Sequence, residues 1–246
     1  MRSMLSSNLL RSAKCCNAAP CVALLFTALL AVALVSAAKT ARSAEPAAIT
    51  ADDALAKLLK GNARFVAGKL HSVSTEELKE RRAEVAHGQK PFAVIVSCSD
   101  SRVGPEIVFD QGLGDIFVVR TAGEVVDNAA LGSIEYAVLH LGTPLIVVLG
   151  HERCGAVAAA VADAKEPGHI GDVIKAIQPA VAETKGQPGD PVDNAIRANV
   201  GDVVQRLKTS DAVLAERVKR GQLKISGAYI SLDTGKVELL GEPSAK

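Results

Sequence analysis

A thiol, a carboxylate and a guanidinium occupy alternate positions in the stretch VIVSCSDSRVG, residues 94–104. They belong to Cys98, Asp100 and Arg102, which come directly after a run of mostly β-branched residues. Residues two apart in an extended chain point the same way, so these three side chains can face one cavity. There Arg102 can hold Asp100 in a bidentate pair that keeps the carboxylate ionised. The alternative is a structural salt bridge beside a sheet, but the nearby thiol favours a functional pair.

A second group of metal-binding side chains lies in LGHERCGAV, residues 149–157. His151 and Cys154 are three positions apart where a predicted strand turns into a helix, and a helix start favours the thiolate form of cysteine. With Cys98 they make a Cys₂His set, which zinc uses with a fourth position free for water. Two alternatives stay open. Cys98 and Cys154 could form a disulfide, as is common in exported proteins, or the three residues could be incidental.

Short apolar runs predict the strands that must position these residues. Helical patterns lie between the runs, and this alternation is typical of a mainly parallel sheet covered on both faces. The sequence therefore predicts an α/β fold, with a mainly parallel sheet flanked by helices and extended by a C-terminal strand or hairpin. In such sheets chemistry collects at the carboxyl ends of the strands, where both motifs lie. The predicted strands are Phe92–Ser97, Ile116–Arg120 and Pro144–Gly150, and the hairpin covers residues 224–240 with its turn at Asp233–Gly235.

Capping and stop signals predict the helices around these strands. Thr50 with Asp53, and Ser74 with Glu77, have the spacing of capping boxes that begin two N-terminal helices. These two helices are predicted to reach Val66 and Ala86. Further helices are predicted over residues 128–142, 155–164, 192–208 and 211–220, and the last of them has Ser210 as its N-cap. The segments EPGHIGD (166–172) and GQPGDP (186–191) are predicted to be loops.

The overall composition argues against several classes of partner. The chain has 246 residues, 48% of them hydrophobic, which is enough for one sizeable core. Its formal net charge is only +1, so neither nucleic acid nor an acidic surface is indicated as a partner. Tryptophan is absent and aromatic residues make up 3%, which argues against stacking platforms for bases or sugars.

The N-terminal segment differs from the rest and predicts export. Arg2, Arg11 and Lys14 precede the apolar run Val22–Val35, and small residues follow it. This order is typical of a secretory signal peptide. We expect residues 1–44 to be a signal peptide and residues 45–246 to be the functional domain, exported to the bacterial periplasm. The alternative is an uncleaved membrane anchor, since flanking alanines extend the run toward the roughly 20 residues that a membrane span needs.

The paired motifs CSDSRV and GHERCGAV, roughly 50 residues apart, closely resemble those of the β-class carbonic anhydrases. The likeness extends to LLKGNARFVAGK, GQKPFAVIVSCSDSRV, GDIFVVRTAG and LGSIEYAVLHLG. It covers roughly Ala51–Ala164, with a weaker echo in ISGAYISLDTG near the C-terminus. The family fold implied by this resemblance is the parallel sheet with a C-terminal extension described above.

The resemblance implies roles for individual residues. One zinc ion per chain is expected, together with a catalytic dyad and a substrate pocket. The implied zinc ligands are Cys98, His151 and Cys154. The implied dyad is Asp100 and Arg102, and the alternative is a closed state in which Asp100 binds the metal. The implied substrate-binding groups are Gln89, Phe117, Tyr136 and the backbone N–H of Gly155.

The activity implied by the resemblance is the reversible hydration of CO₂ to bicarbonate and a proton. Homodimers or dimers of dimers, with active sites at the subunit interface, are also implied. The alternatives are a carbon disulfide or carbonyl sulfide hydrolase of the same clade and an inactive zinc- or bicarbonate-binding module.

The chain departs from the family pattern at RTAGE, Arg120–Glu124, where the family often has Arg-Asn-x-x-Asn. Ala122 is small, so the shape of the pocket does not follow from the resemblance.

Overall fold

The computed structural model of the protein describes residues 49–209 and 212–241. The predicted signal peptide or anchor in residues 1–44 and the predicted helix cap at Ser210 lie outside the described residues. Within the two described ranges, no helix is both long enough and apolar enough to cross a membrane.

The described residues form one sheet of five strands. These are β1 (Ala93–Cys98), β2 (Ile116–Thr121), β3 (Leu145–His151), β4 (Lys224–Ile230) and β5 (Val237–Leu240). The strand order is β2-β1-β3-β4-β5, so β2 and β5 lie at the two edges. The first four strands are parallel and β5 pairs antiparallel with β4. The predicted α/β fold, its parallel sheet and its C-terminal hairpin are therefore confirmed.

Helices flank this sheet on both faces. They are α1 (Ala51–Val66), α2 (Thr75–Val85), α3 (Pro105–Val108), α4 (Asn128–His140), α5 (Gly155–Val161), α6 (Ile170–Thr184), α7 (Pro191–Thr209) and α8 (Ala212–Lys219). The predicted N-terminal caps are present. Ser74 and Glu77 form a complete capping box at α2, and the hydroxyl of Thr50 accepts from the N–H of Asp53 at α1.

The sequence-based prediction missed α6 and placed its first turn in a loop. The segment EPGHIGD was predicted as a loop to Asp172, but the helix begins at Ile170. Two features conceal it. Pro179 lies inside the helix, where proline normally breaks the hydrogen-bond ladder, and His169 makes no side-chain cap bond that would signal a start. The helix forms because its apolar face, including fully buried Ile177, packs into the core.

Alternate residues of the central strands pack into two core layers on opposite faces of the sheet. On one face Val96 of β1 and Val148 of β3 pack with residues of α4 and α7. On the other face Ile95 and Val147 pack with α1. Every residue of β1 and β3 is buried. Because both strands are fixed from both faces, the side chains at their carboxyl ends have well-defined positions.

Buried Asn62 ties α1 to the C-terminal hairpin. Its side-chain N–H groups donate to the carbonyls of Val108, at 3.2 Å, and Gly235, at 2.8 Å. Its side-chain oxygen accepts from the N–H of Val237 at 2.9 Å. Removal of this side chain would leave three polar groups without their partner, and such a loss destabilises a fold. These three partners are structural, and none is a predicted site residue.

Candidate metal centre

Cys98, His151 and Cys154 meet at the carboxyl edge of the sheet. Cys98 ends β1, His151 ends β3, and Cys154 is the N-cap residue of α5. Their ligand atoms all lie within 4.8 Å of one another, and the three residues are buried. The two motifs converge because β1 and β3 are direct neighbours in the sheet. The structure thus brings together the three residues that the sequence predicted as metal ligands.

The spacing of the two sulfur atoms fits a metal site better than a disulfide. The Sγ atoms of Cys98 and Cys154 are 4.0 Å apart, and both cysteines are free. A disulfide requires about 2.0 Å between its sulfurs. Two thiolates on one tetrahedral zinc ion lie about 3.8 Å apart, since each Zn–S bond is about 2.3 Å. Cys98 and Cys154 therefore do not form the alternative disulfide in this structure.

The His151 ring is oriented for a ligand through one nitrogen. Its Nδ1 lies 2.9 Å from the carbonyl oxygen of Glu152, which fixes Nδ1 as the donor. Its Nε2 is buried and has no hydrogen-bond partner, although a buried polar atom normally has one. The lone pair of this nitrogen is directed toward the two thiols. A borderline-soft divalent ion such as zinc could bind all three atoms. The donor set therefore fits the expected metal.

The two thiols and the imidazole share protons unequally. The hydrogen bond with Cys154 lowers the pKa of Cys98, helped by His151 and by the N–H of Gly123, and together these outweigh burial. The same Cys98 bond and burial raise the pKa of Cys154. For His151, burial lowers the pKa, but the neighbouring Cys98 sulfur and the hydrogen bond with the Glu152 carbonyl outweigh it, so the pKa is raised. The N–H of Gly123, which donates to Sγ of Cys98, favours the thiolate form at Cys98.

Asp100 and Arg102 form the predicted bidentate pair. Nε of Arg102 donates to Oδ1 at 2.9 Å and Nη2 donates to Oδ2 at 2.7 Å, while the Arg102 N–H also donates to Oδ1 at 2.9 Å. These bonds hold the pKa of Asp100 well below its usual range despite partial burial. Oδ2 of Asp100 lies only 3.8 Å from Nε2 of His151. The ionised carboxylate therefore borders the ligand cluster directly.

Arg120 supports this loop through its backbone and was not assigned a role from the sequence. Its Nε donates to the carbonyl of Cys98 at 2.8 Å, and its Nη2 donates to the carbonyl of Asp100 at 2.6 Å. Because β2 lies beside β1, Arg120 reaches across the strand ends and fixes the chain that carries both a ligand and the dyad carboxylate.

Comparison with known proteins identifies the family of this chain. The family model for carbonic anhydrases matches residues 93–237, which include all three candidate ligands and both dyad residues. The chain belongs to the β-carbonic anhydrase family. The matches name carbonic anhydrases, and nothing in the described residues favours the carbon disulfide or carbonyl sulfide hydrolase or the inactive module.

Individual relatives resemble this carbonic anhydrase over most of its length. It is 48% identical over 186 residues to carbonic anhydrase 2 of Mycobacterium tuberculosis, which covers 74% of this chain and 89% of the relative. It resembles the solved β-carbonic anhydrase of Coccomyxa, in complex with acetazolamide, with a TM-score of 0.59 and 26% identity over 76% of this chain and 86% of that one. A tetrameric β-carbonic anhydrase of Sordaria macrospora has the same fold, with a TM-score of 0.64 and 24% identity over 78% and 98% of the two chains.

The expected substrate-binding residues of this carbonic anhydrase lie on different elements of the chain. Gln89 is exposed in the loop before β1, and Gly155 is exposed at the first position of α5 beside Cys154. Phe117 is half-buried on edge strand β2 and packs toward the core. Tyr136 is 49% exposed on α4, with its ring 5.2 Å from that of His140. Only Gly155 is adjacent in the chain to a candidate metal ligand.

Glu124 is buried near the candidate metal centre of this carbonic anhydrase, although no role was predicted for it from the sequence. It ends the 3₁₀ turn Ala122–Glu124 after β2 and is 1% exposed. Its Oε1 accepts from Nδ2 of Asn199 at 2.9 Å, whereas its Oε2 has no partner. Burial raises the pKa of Glu124 to about 7. No sequence signal identifies this pair, because the two residues are 75 positions apart.

Glu124→Gln should become progressively more stable than the unchanged protein as the pH rises from about 4.5 to about 7. A carboxyl group with a raised folded pKa stabilises the fold fully below its unfolded pKa, and that contribution is lost as the pH rises through the folded pKa. Glutamine does not ionise, so the difference in unfolding free energy should change by at most about 3 kcal/mol. Denaturant unfolding of the metal-free, reduced proteins measures it. A difference that does not vary with pH would show that Glu124 does not titrate in this range.

Proposed function

We propose that this carbonic anhydrase is a zinc enzyme in which Cys98, His151 and Cys154 hold one ion per chain and Asp100 and Arg102 direct the hydration of CO₂. One observation carries the proposal: two sulfurs and an unpartnered, buried imidazole nitrogen converge beside an ionised carboxylate. Such a Cys₂His set leaves a fourth position open, as catalytic zinc sites require.

The chain supplies orientation and charge around that position. When bound, zinc supplies Lewis acidity that makes water a nucleophile near neutral pH. Arg102 holds the oxygens of Asp100 as acceptors. Asp100 would accept a hydrogen bond from a water molecule beside it and so orient that water toward CO₂. The N–H of Gly155 and the amide of Gln89 are the groups proposed to stabilise charge on the substrate oxygens.

Metal analysis combined with a stopped-flow CO₂ hydration assay tests this proposal. The protein without residues 1–44 should contain about one zinc ion per chain and lose both metal and activity to a strong chelator. Activity should return when zinc is added back. A metal-free preparation with full activity would overturn the zinc assignment.

CO₂ hydration should become faster from near-neutral to alkaline pH. Two thiolates and a neutral imidazole cancel the charge of a divalent ion, whereas three imidazoles leave it intact. Water at this centre should therefore ionise above the pKa of about 7 that three-histidine zinc centres reach. Asp100 adds negative charge and acts in the same direction, although Arg102 offsets part of it. The pH dependence of kcat/KM measures this ionisation in the free enzyme. A flat profile, or one highest in acid, would contradict the donor set.

We also propose that the enzyme forms homodimers, or dimers of dimers, with active sites at the subunit interface. Gln89 and Tyr136 are exposed on the single chain, and Phe117 lies on edge strand β2, where a second subunit would cover them. The Sordaria macrospora relative is tetrameric. Sedimentation of the zinc-loaded protein tests the assembly, and a monomer with full activity would overturn it.

Export to the periplasm is proposed on the basis of residues 1–44 alone. The basic start, the apolar run and the small residues after it support a cleaved signal peptide, with an uncleaved anchor as the alternative. Fractionation of bacterial cells and the mass of the mature protein distinguish the two. Full-length protein in the cytosol would contradict both.

A further inference from the structure

A backbone N–H outside the metal-binding motifs donates to one of the candidate ligands. The N–H of Gly123 lies 3.3 Å from Sγ of Cys98, and this contact is buried. Gly123 has a φ of +62° and Glu124 a φ of +45°, so two consecutive residues adopt the left-handed conformation. Glycine adopts this conformation freely, whereas glutamate does so only when its surroundings hold it there.

A single side chain from α7 holds both of these residues. Nδ2 of Asn199 donates to the carbonyl of Gly123 and to Oε1 of Glu124, each at 2.9 Å. Asn199 is only 3% exposed, so water does not substitute for either bond. Asn199 therefore holds both the peptide group that follows Gly123 and the side chain of Glu124.

Packing leaves the Gly123 backbone little room to move. A Cβ added to Gly123 would lie 2.6 Å from Cδ1 of Ile177 on α6 and 3.2 Å from Cβ of Ala156 on α5. The backbone is thus wedged between two helices that also border the candidate metal centre. This packing and the two bonds from Asn199 together restrict the turn that carries the Gly123 N–H.

We propose that Asn199 and Glu124 are positioning residues for the metal centre: together they hold the Gly123 N–H on the Cys98 thiolate. This inference rests on the proposed zinc site. A hydrogen bond to a thiolate withdraws electron density from the sulfur and restricts the orientation of the side chain. We call Asn199, Glu124 and the Gly123 N–H the clamp, and it tunes both the strength and the geometry of the bond that Cys98 makes to a metal. Neither residue touches the substrate, and neither ligates the ion.

Asn199→Ala tests the clamp on the full-length enzyme. Loss of both bonds should weaken zinc binding by about 10- to 100-fold, which is the usual effect of removing a group that orients a metal ligand. Zn²⁺ affinity is measured by competition with a chromogenic chelator. In the Co²⁺-substituted enzyme, the sulfur-to-metal charge-transfer band should move to longer wavelength, because Cys98 without its hydrogen bond is more electron-rich.

Asn62→Ala is the matched control. Asn62 is also a buried asparagine that bonds to distant parts of the chain, but its three partners are backbone groups in the contact of α1 with Val108 and the hairpin. Its removal should lower the stability of the enzyme comparably while leaving Zn²⁺ affinity and the Co²⁺ band in place. If Asn62→Ala and Asn199→Ala change both readouts equally, general destabilisation explains them and the proposal is wrong.

Glu124 variants test the same clamp if Asn199→Ala fails to fold. Glu124→Gln keeps an oxygen that accepts from Asn199, so it should retain Zn²⁺ affinity and the Co²⁺ band. Glu124→Ala removes that acceptor and should show the losses of Asn199→Ala in weaker form. Equal affinity and equal spectra in all variants, with the unchanged enzyme binding zinc, would overturn the clamp alone. An unchanged enzyme that binds no zinc would overturn the proposed metal centre instead.

Discussion

Cys98→Ser should yield a folded protein that binds no zinc above background and hydrates CO₂ no faster than buffer does. Serine is nearly isosteric with cysteine, but its hydroxyl is a poor zinc ligand near neutral pH because it does not ionise there. Sγ of Cys98 also accepts from the N–H of Gly123, which favours its thiolate form, so the change removes a sulfur that is suited to bind the ion. Metal content after gel filtration and stopped-flow hydration measure the two effects.

Ser97→Ala is the control for this change. Ser97 precedes Cys98 in β1 and is fully buried, yet its hydroxyl has no hydrogen-bond partner in the described chain. Removal of the hydroxyl should leave the zinc content and the activity unchanged. A Cys98→Ser enzyme that retains activity would end the zinc interpretation, as would an active, metal-free parent protein with a Cys98–Cys154 disulfide.

The convergence of the candidate ligands was predictable because local sequence determines it almost completely. Apolar, β-branched runs indicate buried strands, and each motif begins where such a run ends. In a parallel sheet those ends share one edge, so Cys98, His151 and Cys154 had to lie near one another once β1 and β3 were neighbours. The Asp100–Arg102 pair followed from a spacing of two residues. The structure agrees with the sequence at each of these points.

Contacts between distant segments were not predictable in the same way. Arg120 reaches Cys98 and Asp100 only because β2 pairs with β1 in a particular register. Asn199 reaches Glu124 only because α7 packs over the end of the sheet. Neither residue has a local pattern that separates it from an ordinary polar side chain. The same reason explains why α6, with a proline inside and no cap signal, was missed.

Arg102→Ala should keep the zinc content near that of the unchanged enzyme while activity falls by about 100-fold or more, the scale at which misplaced catalytic groups reduce rates. Three hydrogen bonds from Arg102 now hold the Asp100 carboxylate. Alanine keeps the backbone N–H but removes both guanidinium bonds. Oδ2 of Asp100 is already 3.8 Å from Nε2 of His151, so a released carboxylate needs only a small movement to take the position reserved for water. Zinc analysis and kcat/KM, measured on the same samples, separate binding from catalysis.

Arg153→Ala is a closely matched control. The Arg153 side chain is 52% exposed and that of Arg102 is 51% exposed, but Arg153 pairs with Glu152 and with Asp233 at the hairpin turn instead of with the dyad carboxylate. Its replacement should therefore leave activity largely intact. Full activity in Arg102→Ala would mean that the Asp100–Arg102 pair is only a structural salt bridge. Loss of zinc together with activity would mean that Arg102 maintains the ligand cluster itself, since a residue that acts only through Asp100 can reduce the rate without releasing the ion.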